Sequence, residues 1–141
     1  MNCAKNIIYW LLKKIIYAMH NLGFFYEDIM ENYELAEKYY LMAIEKGHIN
    51  SIYFLAVLYE IRKNYDLAEK YYLMAVEKDH ADAMYNLAIF YNNIKENYDL
   101  GEKYYLMAID KDDINAIQEL CILYDIMDIP FKKMIIDFLV Y

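Results

Sequence analysis

A chain of 141 residues with 60% hydrophobic side chains is too apolar for disorder, and three glycines with one proline leave too little punctuation for strands and hairpins. Its formal charge of −8, from 14 basic and 22 acidic side chains, opposes binding to phosphate backbones or anionic membrane surfaces. Cys3 and Cys121 are too few and too far apart for a disulfide framework, and read as ordinary free thiols of a reducing compartment.

In residues 1–15 the apolar side chains Ile7, Ile8, Leu11, Leu12 and Ile15 recur at helical spacing. Lys13 and Lys14 break the run, no small-residue cleavage site follows, and the stretch is far short of the ~20 residues a membrane span needs. We therefore expect neither signal peptide nor transmembrane segment, and a soluble cytoplasmic protein. An amphipathic membrane anchor fits poorly with an acidic chain. A capping helix, or the second helix of a degenerate leading repeat, fits better.

The next stretch is one of three copies. NYELAEKYYLMAIEKGH (Asn32–His48), NYDLAEKYYLMAVEKDH (Asn64–His80) and NYDLGEKYYLMAIDKDD (Asn97–Asp113) align without a gap, the first two at 14 of 17 positions and the last two at 13 of 17. A fixed period of 32 or 33 residues marks an architecture of stacked units. Each copy follows a more variable segment ending in Tyr26, Tyr59 or Tyr91, and a fourth such segment begins at Ile114–Ile126. Ile52–Tyr59 alone reads as a buried strand, but polar residues interrupt the same register elsewhere (Asn86; His20 and Asn21) while Leu22, Leu55, Leu87 and Leu120 hold it. Helix is the consistent reading.

The second segments carry helix signals throughout. Asn32, Asn64 and Asn97 stand where an N-cap is wanted, and Glu34/Lys38, Asp66/Lys70 and Asp99/Lys103 are acid-first i,i+4 pairs. Ala36, Tyr40, Ala43 and their copies Ala68, Tyr72, Ala75 form the inward stripe, with Gly101 replacing the first alanine in the third copy. Gly23, Ala56, Ala88 and Cys121 share one register, which predicts small-against-small contact between paired helices, with a large tyrosine beside the contact filling the remaining gap. Each pair leaves an apolar side for the next to cover. Beyond Ile126, Pro130 suits the first turn of a last helix, whose face Phe131, Met134, Ile135, Phe138 and Leu139 reads as a terminal cap.

These residues resemble the tetratricopeptide family and, through the Gly47–His48 ending, its Sel-one-like branch. The pattern of leucine, small residue and tyrosine, then alanine, aromatic and alanine, is met by Leu22, Gly23, Tyr26, Ala36, Tyr40 and Ala43. Leu55, Ala56, Tyr59, Ala68, Tyr72 and Ala75 meet it again, as do Leu87, Ala88, Tyr91, Gly101, Tyr105 and Ala108. The proline common at the close of tetratricopeptide units is absent. The richness in Asn, Ile, Lys and Tyr also resembles repeat proteins of giant viruses infecting amoebae. The expected fold is all-α, an α-solenoid of antiparallel helix pairs. Residues 1–15 are the capping helix, 16–48, 49–80 and 81–113 three repeats, and 114–141 a degenerate fourth repeat with a C-terminal cap, in one domain.

Chemistry is sparse. His48 and His80 share a repeat position, but two histidines without a cysteine or paired carboxylate make a poor zinc site. Glu34, Asp66 and Asp99 read as solvated and lysine-paired, and no phosphate loop or nucleophile–base arrangement is present. Neither a cofactor nor an enzyme is expected. Adjacent tyrosines without interleaved basic residues read as core, not as a nucleic-acid stacking platform.

The resemblance implies that the first helices line a concave side, along which three ladders run. Phe24, Val57, Ile89 and Ile122 make one; His20, Tyr53, Tyr85 and Gln118 a second; Tyr17, Asn50, Asp82 and Asn115 a third, with Glu27, Asp28, Glu60 and Asp125 near the rim. An apolar rail beside amides and phenols suits an extended peptide or a docked helix, basic or neutral in view of the chain's charge. The alternative is that these side chains merely pack against one another or against the N-terminal helix. A second function is self-assembly, a homo-oligomer formed through the apolar ends Trp10–Ile16 and Phe138–Tyr141.

Overall fold

The computed structural model describes residues 2–129 together with Lys132, Met134 and Phe138. Seven helices and no strand occur among them: α1 (Asn2–Asp28), α2 (Tyr33–Glu45), α3 (Ile49–Ile61), α4 (Tyr65–Glu77), α5 (Ala81–Asn93), α6 (Tyr98–Ile109) and α7 (Ile114–Ile126). The chain is all-α and built of the antiparallel helix pairs of the solenoid class. It divides into two compact units, Met1–Lys78 and Asp79–Tyr141. In the first unit α1 packs on α2, α2 on α3 and α3 on α4; in the second α5 packs on α6 and α6 on α7.

The repeated asparagines start the second helices as their position predicts. The side-chain oxygens of Asn32, Asn64 and Asn97 accept the backbone N–H of Leu35, Leu67 and Leu100 at 3.1, 3.4 and 3.1 Å. The first helices use other caps: Asp113 accepts from Asn115 and Ala116 at α7, and His80 Nδ1 accepts from Ala83 at α5.

Every turn is closed by one residue in the left-handed region: Glu31, Gly47, Lys63, Asp79, Glu96, Asp112 and Asp128, with φ between 47° and 86°. The residue after it usually bonds back into the preceding helix, as in Asn32 N–H to Tyr26 C=O at 2.8 Å and Asn64 N–H to Tyr59 C=O at 2.8 Å. Only Gly47 meets this geometry with glycine; each of the others carries a conformational cost of about 1 kcal/mol.

Between the caps, Ala36, Tyr40, Ala43 and their counterparts Ala68, Tyr72, Ala75 and Gly101, Tyr105, Ala108 are all buried, as the stripe predicts. At Gly23 the neighbour is the large tyrosine expected beside the small contact. A Cβ on Gly23 would stand 2.6 Å from the Tyr40 ring, so the smallest residue of α1 makes room for the largest of α2. A Cβ on Gly101 would overlap the Asn92 side chain at 1.7 Å. Asn92 stands where the other units have Glu27 and Glu60, so the glycine accommodates a side chain turned toward α6 in this copy alone.

Two differences concern the ends. From Asn2 the leading segment and the first helix of repeat one form a single unbroken helix, α1, because nothing between Ile15 and Tyr17 interrupts helical spacing. The expected cap over residues 130–141 lies outside the described residues, apart from Lys132, Met134 and Phe138.

Candidate interaction surface

Phe24 on α1 and Tyr53 and Val57 on α3, three of the predicted groove residues, come together on one cleft of about 320 Å³ in the first unit. Phe54 and Ile61 extend its apolar wall, and Tyr33 at the start of α2 closes one side. Glu27, Asp28 and Glu31 line it as well, without a basic residue among the lining side chains. Phe24 and Phe54 meet edge to face at 6.1 Å, and Tyr53 meets Phe54 the same way at 5.3 Å, which fixes the aromatic wall.

Glu27 is more than a rim charge. Its Oε2 accepts the phenol of Tyr40 at 2.6 Å, and burial pushes its carboxyl above the ordinary range, the phenol opposing and Asp28 adding to that shift. Tyr72 donates to Glu60 Oε2 at 2.7 Å in the same way. Tyr40 and Tyr72 thus each end on a carboxylate of the helix before, and burial raises both phenols' pKa. In the third repeat the neutral Asn92 occupies that place, its Oδ1 turned to Gly101 and buried with no hydrogen-bond partner among the described residues. A second series joins neighbouring repeats: Tyr59 donates to Glu37 at 2.8 Å, with Arg62 on the same carboxylate, and Tyr124 donates to Glu102 at 2.8 Å, with Lys132 at 2.6 Å. Glu34, expected to pair with Lys38, lies 3.5 Å from Arg62. The recurrence of Glu or Asn directly after Tyr26, Tyr59 and Tyr91 was the available signal for the first series.

Beside the cleft, His20 and His48 both turn Nδ1 to the fully buried Ser51 hydroxyl, at 3.0 and 2.9 Å, with their rings 4.6 Å apart. One hydroxyl has one proton. One imidazole accepts it, the other donates its own Nδ1–H, and both rings are neutral in this arrangement. Burial, with His48 as the second cause, lowers the pKa of His20 to about 4; burial also lowers that of His48. Phe54 and Tyr40 pack on His20, and Tyr17 stands edge-on to His48 at 5.2 Å. Tyr17 and His20 therefore belong to this aromatic cluster. Asn50, on the first turn of α3, is exposed.

In the second unit Tyr85 lies against the Tyr105 ring, centroids 6.1 Å apart. Ile89 is half-buried, while Asp82, Asn115, Gln118 and Ile122 are exposed. Among the described residues, no three His, Cys, Asp or Glu side chains are placed to hold a metal, and no helix is long and apolar enough to cross a membrane.

Helix pairs of this length, recurring with a small residue and a tyrosine on the first helix and a buried tyrosine between alanines on the second, define a repeat of the tetratricopeptide-like class. The Sel1 repeat model matches residues 16–48, 49–80 and 81–113, most of the chain, and the protein belongs to the Sel1 repeat family. Sel1 repeats generally mediate protein–protein interaction and typically serve as non-catalytic scaffolds. Among curated proteins, none matches the chain.

Proposed function

We propose that the protein is a non-enzymatic adaptor that holds a basic or neutral segment of another protein against the inner faces of its first helices. The observation that carries this reading is the cleft between α1 and α3, where an aromatic and aliphatic wall stands beside three carboxylates with no basic side chain among them. A lysine or arginine suits such a place: its aliphatic stem covers Val57 and Ile61, and its charge meets Asp28 and Glu31. Glu27, already desolvated, gains from a neighbouring cation what it lacks in water. Tyr85 stands at the register of Tyr53 in the second unit.

Replacing Tyr53 and Tyr85 together by alanine tests the reading. Both are only partly buried, so the helices are expected to stay folded while the proteins captured by the unaltered chain are lost. A folded double variant that keeps every partner removes the inner faces from consideration.

A further inference from the structure

The apolar stripe of the longest helix begins in repeat one, where Ala18, Leu22 and Phe25 share the register of Ala83, Leu87 and Phe90, and runs on ahead of that repeat through Ile15, Leu11, Ile8 and Ala4. On α1, Ala4, Ile8, Leu11, Ile15, Ala18, Leu22 and Phe25 follow one another at alternating spacings of four and three residues, and Ile29 continues the series just beyond the helix. An apolar period of 3.5 residues sustained over three heptads is the seam of a coiled coil.

This seam is bare. Every residue from Cys3 to Ile15 is exposed, and Ile8, Leu11, Ile15, Leu22 and Phe25 retain between 40% and 58% of their accessible surface. Leu55 and Leu120, at the same repeat register as Leu22, are completely buried on helices that have a second helix of the previous repeat beside them. An exposed apolar stripe running the length of a 27-residue helix needs a partner.

We infer that α1 pairs with α1 of a second copy, antiparallel, making the protein a homodimer. Two observations select this occupant. The first is volume: with the helices antiparallel about their centre, Ile15 of each copy faces Ala18 of the other, Leu11 faces Leu22, Ile8 faces Phe25 and Ala4 faces Ile29. Large side chains then meet small ones at both alanines, whereas a parallel pair stacks Ala18 on Ala18 and leaves a void. The second is charge: up to Tyr26 the chain carries Lys5, Lys13 and Lys14 and no acid, while Glu27, Asp28 and Glu31 crowd the other end. Antiparallel pairing sets the basic end of each helix beside the acidic end of its partner; parallel pairing sets like on like. The contact is isologous and closes on itself. It is independent of the adaptor reading, since Tyr53 and the cleft lie on another face.

Sedimentation velocity on the full chain across a wide range of concentration tests it. The expected result is a dimer, whose dissociation constant rises about thirtyfold or more when Ile15→Glu places a charge at its centre. Ile15 is half exposed in a single copy, so the variant should keep its helical circular dichroism and serve as a folded monomer. For the orientation, Cys3 and Cys121 are changed to alanine and Lys14→Cys is combined with Asn21→Cys. These two positions flank the seam on one side and meet across an antiparallel pair, so a short bis-maleimide should link the copies in the double variant and in neither single one. A monomer at every concentration, or a dimer that Ile15→Glu leaves intact, overturns the inference. Linkage through Lys14→Cys alone overturns the antiparallel arrangement.

Discussion

Replacing Tyr72 by phenylalanine lowers the stability of the first unit by about 2 kcal/mol, and replacing it by alanine lowers it by about 4–5 kcal/mol. The first figure is the value of a hydrogen bond to a charged acceptor, since the ring still fills its place and the 2.7 Å bond to Glu60 is lost. The second adds the cavity left by a ring that is 1% exposed between Ala68 and Ala75. The third repeat provides the control. Tyr105 faces Asn92 in place of a carboxylate, so Tyr105→Phe should cost about 1 kcal/mol or less, although that ring is equally buried. Urea unfolding of the three variants at neutral pH measures the order. Equal losses for Tyr72→Phe and Tyr105→Phe would show that the carboxylates contribute nothing beyond packing.

Acidification lowers the protein's stability already above the carboxylate range, because three histidines are held neutral. His20 has a folded pKa of about 4 against an ordinary 6.5, and His48 and His80 are lowered by burial as well. The unfolded chain therefore binds protons first as pH falls. Stability from these groups is fully present above pH 6.5 and declines toward the lowered folded values, near pH 4 for His20. Their half-exposed rings reduce the effect through solvent screening to roughly 1–2 kcal/mol in all. No charged group stands among the causes acting on His20 apart from His48, whereas Asp82 partly opposes the shift at His80. His80 also loses its bond from Ala83 N–H when Nδ1 takes a proton. His20→Gln, which puts there the residue of the fourth repeat, should flatten the fall between pH 6.5 and 5. A variant whose melting temperature follows the unaltered chain across that interval would contradict the assignment.

Much of this architecture was readable because the determinants are local and repeated. Asn32, Asn64 and Asn97 cap helices through contacts three residues away, and the alanine–tyrosine–alanine stripe lies within single helices. What escaped was long-range. Glu27 and Glu60 looked like rim charges since nothing in their own segment shows a phenol arriving from the next helix. His20 meets Ser51 across 31 residues, and His48 was paired by register with His80 before its neighbour His20 came into view. At Gly23 the tyrosine expected beside the small contact is Tyr40, whose ring, held at its tip by Glu27, leans over the glycine. The seam of α1 was hidden by Lys13 and Lys14, which interrupt the apolar run in sequence but lie off the stripe once the helix is wound.

The groove residues depend most on a partner's chemistry, so a partner of defined chemistry tests them best. The full chain, labelled for backbone amide spectra, is titrated with a synthetic peptide of leucine and arginine and, separately, with one in which glutamate replaces arginine. The basic peptide should move the amides of Phe24, Tyr53 and Val57 while the acidic peptide leaves them in place. Equal responses to the two, or a basic peptide that binds without touching those three, would contradict a surface built for cationic segments.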